Sequence, residues 1–377
     1  MKKLHIVTNE VPRVFLAGIR DNSHKNQEPL DEMTGLVDTL GLEIAGAEIV
    51  LVREPNRRYG MGSGKAREIS DKALAVGAQC IIFDTEISPS QQRNWEDLCG
   101  LSVLDRQELI IRIFASRART KEAELQTELA ELLYALPRLS HKYIDLARQR
   151  GGHYGARGAG ETRLETDRRR IRERISSLRK EIENVRNNRG LQRKQRKKQG
   201  IPVCALVGYT NAGKSSLHRA LTGSDVLVEN KLFATLDPTA RKVYRQSSSG
   251  TGKSIIFIDT VGFIRRLPHN LVDAFRATLE ETAQADILIH VLDASDSGWK
   301  SHCTTVFELL KELGAGKIPV ITAMNKADLL TKTEMSELKT AYGREIPAPM
   351  PYLTAVSAKN REGLDELWKF IEKTLKF

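Results

Sequence analysis

Lys214 and Ser215 close the run Gly208-Tyr209-Thr210-Asn211-Ala212-Gly213-Lys214-Ser215, which matches GxxxxGK[ST]. The pattern is a phosphate cradle. Its glycines let backbone N–H groups turn inward around an anion at the start of a helix, and Lys214 reaches the β- and γ-phosphates. The Ser215 hydroxyl is a ligand for magnesium, and Ser216 is placed for the α-phosphate. A buried strand, Ile201–Val207, precedes the run and a helix opens near Ser215, which is the context the pattern needs.

Four further segments follow in order. Asn325-Lys326-Ala327-Asp328 comes after the apolar strand Val320–Met324. The Asp328 carboxylate can accept two hydrogen bonds from a guanine ring, whereas adenine would leave it unpaired. Ser357-Ala358-Lys359 adds a backbone contact to the guanine oxygen. Asp259-Thr260-Val261-Gly262 ends the strand Ile255–Ile258; Asp259 holds magnesium through water, and the Gly262 N–H bonds the γ-phosphate. The loop Phe233-Ala234-Thr235-Leu236-Asp237 is assigned to the same end of the nucleotide. Thr235 is its mobile threonine capping magnesium, with Thr239 as the competing assignment. Together the segments imply GTP and GDP binding, with Lys214, Thr235 and Gly262 carrying catalysis and two loops that release on hydrolysis.

Two positions qualify that reading. Phe263 follows Gly262, where many GTPases carry a glutamine that orients the attacking water. Phenylalanine cannot make that hydrogen bond, so slow intrinsic hydrolysis, raised by a partner, is expected. Asn211 stands where some GTPases bind a potassium ion; it could equally shape the loop.

The elements that must position these residues fall into three blocks, in a chain of 377 residues long enough for two or three cores. The expected class is α/β and multidomain. Residues 1–104 alternate apolar runs (Val14–Ala17, Ile49–Val52, Cys80–Phe83, Val103–Leu104) with helical stretches, and read as a small N-terminal α/β domain. Residues 105–198 read as an antiparallel helical hairpin. Residues 201–377 read as a P-loop GTPase domain with a mostly parallel sheet. No apolar run reaches the roughly 20 residues of a membrane helix, no secretory signal opens the chain, and Cys80, Cys99, Cys204 and Cys303 form no CxxC pair. A reducing cytoplasm fits.

The hairpin carries the charge. Residues 138–198 hold 20 Lys and Arg against 7 Asp and Glu, and the remaining chain is slightly acidic although the whole is +11. That is the footprint of a polyanion-binding element, or else a solvated basic helix face. Leu125, Leu129, Leu132, Leu136, Leu139, Tyr143 and Leu146 make one seam at spacings of three and four, kinked at Pro137, and Leu164, Ile171, Ile175, Leu178, Ile182 and Val185 make another. Between them residues 151–160 hold five glycines and are expected to interrupt the helix as a tip. Arg148, Arg150, Gly151, Gly152, His153, Tyr154, Arg157, Arg163, Arg168, Arg169 and Arg170 supply phosphate contacts, close backbone and a stacking ring suited to RNA. Past Val185 the chain turns polar and reads as a fraying end and hinge.

A weaker loop, Tyr59-Gly60-Met61-Gly62-Ser63-Gly64-Lys65-Ala66, departs twice from the phosphate-loop pattern, with Tyr59 in place of the first glycine and Ala66 in place of the magnesium hydroxyl. A second nucleotide site, an RNA contact and a tight turn all remain open there.

The order of parts resembles the HflX family of GTPases. Gly151-Gly152 with Gly158-Ala159-Gly160-Glu161-Thr162-Arg163-Leu164-Glu165-Thr166-Asp167-Arg168-Arg169-Arg170-Ile171-Arg172 looks like that family's signature, as do Phe233–Thr239 and Asp259–Phe263. The resemblance implies binding to the large ribosomal subunit with the tip toward the peptidyl-transferase centre, GTPase stimulation by the ribosome, and splitting of stalled or idle ribosomes, often under stress. It also associates ATP with the first domain. Some members carry a further C-terminal domain after the GTPase domain. No DNA partner is implied, and the free chain is expected to be a monomer. Two rivals stand beside this reading: an assembly or RNA-modification GTPase holding precursor RNA, and a protein-interaction switch with a coiled-coil docking arm.

Overall fold

The computed structural model describes residues 11–21, 30–139, 157–223, 232–246, 252–266, 282–346 and 352–376, with side chains of 21, 157–163 and 192–198 not described. The chain divides into two compact units, 1–116 with 127–179, and 117–126 with 180–377.

In the first unit, β1 (Arg13–Asp21), β2 (Glu43–Val52), β3 (Cys80–Phe83) and β4 (Ser102–Asp105) form one sheet in the order β2-β1-β3-β4, all pairs parallel. Helices α1 (Asp31–Thr39), α2 (Ser63–Ala75) and α3 (Pro89–Cys99) make the crossovers, as parallel neighbours require. Sequence chemistry sets the ends of α3. Ser88 and Gln91 form a reciprocal capping box, Pro89 occupies the first turn, and Gly100 closes the helix left-handed. Trp95, fully buried, donates its indole N–H to the Tyr59 carbonyl at 3.0 Å and fixes the glycine-rich loop to the core.

Helices α4 (Arg106–Arg117) and α5 (Lys121–Ala135) follow. Asp105, at the end of β4, is fully buried and accepts from the Glu108 N–H at 2.8 Å, the Tyr134 hydroxyl at 3.1 Å and the Arg138 guanidinium at 3.1 Å. Arg138 also lies over the Tyr134 ring, 3.5 Å from its centre. Burial pushes the Asp105 carboxyl up to about 6, against the Glu108 N–H and the Arg138 charge. A carboxyl raised in the fold binds more protons there than in the unfolded chain, so its contribution to stability falls as pH rises from about 4 to about 6. Arg138→Met is expected to cost about 2 kcal/mol at pH 7.5, because a buried carboxylate loses its counter-charge. The deficit is expected to shrink at pH 5, where Asp105 keeps its proton, and thermal melts at the two pH values check this.

At Pro137 the regular α5 gives way to a single turn of 3-10 helix, Leu136–Arg138, and Leu139 beyond it is helical again, as the expected interruption at the proline requires. Helix α6 spans Arg157–Lys198, 42 residues. The expected glycine tip over 151–160 is therefore corrected at its C-terminal end, since Gly158 and Gly160 lie within α6. A glycine costs a helix about 1 kcal/mol and does not forbid it when long flanking turns propagate through. The expected fraying after Val185 is corrected too, because the helix continues to Lys198. The pairing with α5 is antiparallel. Arg174 bonds Glu128 at 2.7 Å, and Arg189, farther along α6, meets Glu122, earlier on α5, at 2.6 Å. Seam residues Leu125, Leu129, Ile175 and Leu178 are buried. Tyr143 and Leu146 lie outside the described residues.

In the second unit six strands stand in the order β10-β9-β8-β5-β7-β6. They are β5 (Val203–Val207), β6 (Thr239–Gln246), β7 (Gly252–Asp259), β8 (Ile287–Asp293), β9 (Val320–Asn325) and β10 (Tyr352–Ala355), with β6 alone antiparallel. Helices α7 (Lys214–Thr222), α8 (Trp299–Glu312), α9 (Lys332–Glu345) and α10 (Leu364–Thr374) complete it. The chain leaves β5 for β7 on one side and reaches β8 on the other, so β5 borders a topological switch point, where open α/β sheets place ligands at the strands' carboxyl ends. Among the described residues no helix is long and apolar enough to cross a membrane.

Candidate functional site

The loop after β5 sits at that switch point. Gly208 has φ +154°, and a Cβ built on it would lie 2.3 Å from the Val291 carbonyl oxygen of β8. Gly213 has φ +89°, and its Cβ would meet the Asn325 amide at 2.2 Å. Any larger residue at either position would break the cradle. Helix α7 begins at Lys214, so its positive end faces the loop. The Lys214 amine is buried and donates to the Tyr209 carbonyl at 2.8 Å. Burial pushes this amine down to about 8, with the Asp259 charge opposing. An arriving phosphate supplies the missing counter-charge.

The oxygens assigned to magnesium converge. Ser215 Oγ lies 2.7 Å from Thr235 Oγ1 and 2.6 Å from Asp259 Oδ2, and Thr235 Oγ1 lies 2.8 Å from the same carboxylate oxygen. Thr239 instead opens β6, in register with Asp259. Asp259 Oδ1 is buried and has no hydrogen-bond partner among the described residues. Two hydroxyls and a carboxylate with an unmet lone pair are the hard oxygen set that suits magnesium.

The base end is equally tied. The Asn325 amide donates to the Ala212 carbonyl at 2.9 Å, and its oxygen accepts from the Ala358 N–H at 3.0 Å. One side chain thus joins the phosphate loop to the Ser357-Ala358-Lys359 loop. Asp328 Oδ1 accepts from the Ser357 hydroxyl at 2.6 Å, and Ser357 in turn accepts from the Asn360 N–H. Lys326, left-handed at φ +63°, pairs with Asp293 at 2.6 Å. Lys359 is exposed.

Several other assigned side chains have protein partners or pack inward. The Thr260 hydroxyl is spent on the Leu206 carbonyl at 2.6 Å, which ties β7 to β5. Phe233 and Leu236 are buried, so they anchor their loop from within, flanking the half-buried Ala234. The Asp237 carboxylate accepts from the Arg119 and Thr120 N–H groups at 3.3 and 3.2 Å and from the Thr120 hydroxyl, capping the start of α5. Unpaired N–H groups at a helix start attract a carboxylate, which accounts for this contact. Val261 is buried, and Asn211, at φ +61°, and Ser216 stand respectively exposed and half-buried.

Of the residues assigned to RNA, Arg148, Arg150, Gly151, Gly152, His153 and Tyr154 lie outside the described residues. Arg157 and Arg163 lie on α6, where Arg169 and Arg170 are exposed and Arg168 is half-buried. In the first unit, the loop before α2 is partly core: Tyr59 and Met61 are buried, and the Lys65 amine is held by Glu68 at 2.8 Å and Glu48 at 3.4 Å.

Residues 203–326 match the family model described as 50S ribosome-binding GTPase, residues 117–196 the GTP-binding GTPase middle region, and residues 27–115 the GTP-binding GTPase N-terminal region. GTPase HflX of Caldanaerobacter subterraneus subsp. tengcongensis is 44% identical over 354 residues, 94% of this chain and 78% of that protein. GTPase HflX of Escherichia coli is 45% identical over 322 residues, 85% of this chain and 74% of that protein. The chain belongs to the HflX family of GTPases. A solved GDP complex of SsGBP, 25% identical, covers 97% of this chain and 99% of its own with a TM-score of 0.51. In this HflX GTPase the fold is α/β and multidomain, with an N-terminal domain, a helical region and a P-loop GTPase domain, and it binds and hydrolyses GTP.

Sequence reading missed three residues that hold this HflX site together. Asp293 ends β8 beside Asn325, and its register across β9 was the available signal. His302 stacks on Tyr209 with centres 3.8 Å apart, and Thr120 receives Asp237 from 117 residues away. Neither of those two had a local signal.

Proposed function

We propose that the protein is a cytoplasmic GTP-driven switch that binds the large ribosomal subunit and dissociates stalled or idle ribosomes, its hydrolysis stimulated by the ribosome. The observation that carries this reading is the charge asymmetry: 20 basic against 7 acidic residues over 138–198, leading into a domain that matches a ribosome-binding GTPase model. Exposed Arg169 and Arg170 on α6 support phosphate contact, and the glycine-rich approach to that helix would enter RNA near the peptidyl-transferase centre.

In this reading Ser215 and Thr235 would hold magnesium, with Asp259 through water, and a metal held there would supply positive charge against the γ-phosphate. Asn211 is the residue through which potassium would act. Lys214 and the Gly262 N–H grip the γ-phosphate, and Thr235 and Gly262 let go when it leaves. ATP has less support at the first unit, because Lys65 is already paired with two carboxylates.

The test is GTP hydrolysis by the whole chain with and without mature large subunits, at low and moderate salt. Stimulation of about a hundredfold or more is expected, weakening steeply with salt as phosphate contacts do. Stimulation by precursor particles alone would favour an assembly role. Salt-insensitive binding to a protein would favour the docking arm.

A further inference from the structure

Phe263 occupies the position of a water-orienting residue and cannot serve there. Its ring is 1% exposed, its N–H donates to the Gly208 carbonyl at 3.1 Å, and its carbonyl accepts from the Thr210 N–H at 2.8 Å. The segment is stitched to the phosphate loop with its side chain packed inward. Hydrolysis still needs a group that positions water against the γ-phosphate.

Next to that point the phosphate loop holds a threonine, Thr210. Thr210 is 6% exposed, and its Oγ1 is buried with no hydrogen-bond partner among the described residues. Leaving a buried hydroxyl unmet costs about 1–3 kcal/mol, so a partner that arrives with the nucleotide would be favoured. Position indicates which partner. A Cβ built on Gly262 would lie 2.8 Å from Thr210 Cγ2, 2.9 Å from Thr210 Cα and 3.1 Å from the Lys214 amine. Three groups therefore border one small volume: the backbone of Gly262 and the Lys214 amine, both assigned to the γ-phosphate, and the side chain of Thr210. The main chain of Thr210 is fixed by its N–H bond to Phe263, so rotation about Cα–Cβ places the hydroxyl oxygen and rotation about Cβ–Oγ1 aims its hydrogen.

We propose that the Thr210 hydroxyl orients the attacking water in GTP hydrolysis, the task that Phe263 leaves vacant. It accepts a hydrogen bond from the water and donates its own hydrogen to a γ-phosphate oxygen. The water oxygen forms the new bond to the γ-phosphorus, and the bond from that phosphorus to the β–γ bridging oxygen breaks. GDP leaves with the bridging electron pair, and the water's proton ends on inorganic phosphate. Thr210 starts and finishes protonated. A threonine methyl at this point also excludes other water, which a serine would do less well.

The inference rests on GTP hydrolysis and not on the ribosomal reading, so it is measured on the whole chain without ribosomes. Single-turnover hydrolysis with enzyme in excess is compared for the natural chain, Thr210→Val, Thr210→Ala and Thr210→Ser. Affinities for fluorescent GDP, alone and with aluminium fluoride and magnesium as the transition-state mimic, are titrated alongside. Valine and alanine are expected to slow hydrolysis by about ten- to a hundredfold, the scale of one positioned proton-sharing group, while serine stays within about threefold. GDP affinity is expected to hold within about twofold, with the gain from aluminium fluoride lost in step with the rate. An unchanged rate in the valine variant, or a faster one in the alanine variant, overturns the proposal, since the hydroxyl would then be idle or crowding the site. GDP affinity falling as far as the rate, or serine failing to restore it, overturns it as well, since Thr210 would then only shape the loop.

Discussion

Replacing Asp328 with asparagine is expected to weaken GTP and GDP binding by about a hundredfold or more, the scale set by leaving buried polar groups mismatched. Guanine presents two adjacent donors, the ring N–H and the exocyclic amine. A carboxylate accepts both, and Asp328 is already aimed by the Ser357 hydroxyl at 2.6 Å. An asparagine offers one acceptor and one donor, so a donor meets a donor. Xanthine carries a carbonyl where guanine carries the amine, and it matches the asparagine pair. The variant is therefore expected to prefer xanthosine diphosphate over GDP. Titration of fluorescent forms of both nucleotides checks this, and an unchanged guanine preference would remove Asp328 from base reading.

The second large effect is steric. Gly208→Ala places a Cβ 2.3 Å from a backbone carbonyl of Val291, in a conformation, φ +154°, that side chains disfavour. Val291 is fully buried in β8, so its main chain has nowhere to go. The substitution is expected to cost about 3 kcal/mol or more in the GTPase domain and to abolish measurable GDP binding. Gly62→Ala is the matched control. It lies in the glycine-rich loop of the first unit, and its added Cβ meets nothing within 4 Å. Its effect is expected to stay within about 0.5 kcal/mol. Thermal melts and GDP titration of the two variants separate a general intolerance of added methyls from the specific closeness of the phosphate cradle.

The same contrast shows why the two glycine-rich loops read so differently. Gly208–Ser215 follows a buried strand at the switch point and closes on Lys214, whose amine is turned into the loop. Tyr59–Ala66 shares the glycines, but its aromatic and methionine are core residues and its lysine serves two neighbouring carboxylates. Glycine spacing alone does not distinguish them. The partner of the lysine does, and that partner comes from β2 as well as from the lysine's own helix.

What the amino-acid order determined by itself was local chemistry: which groups can cradle phosphate, accept guanine's donors and ligate a hard cation, and which stretch carries the positive charge. These properties belong to side-chain types at short spacings, and they survive whatever the rest of the chain does. The strand and helix rhythm was legible for a related reason, because a sheet buried on both faces leaves continuous apolar runs such as Cys80–Phe83. Only the tertiary structure decided which of those groups remain available. Thr260 gives its hydroxyl to Leu206, Phe233 and Leu236 sink into the interior, Asp237 caps a helix that begins far upstream, and the Thr210 hydroxyl has no hydrogen-bond partner among the described residues. Glycines that predicted an interruption lie within α6, because a long helix absorbs their cost across many turns. A hydrogen-bonding group is committed by whatever the fold brings within about 3 Å of it, and that neighbour often lies tens of residues away along the chain.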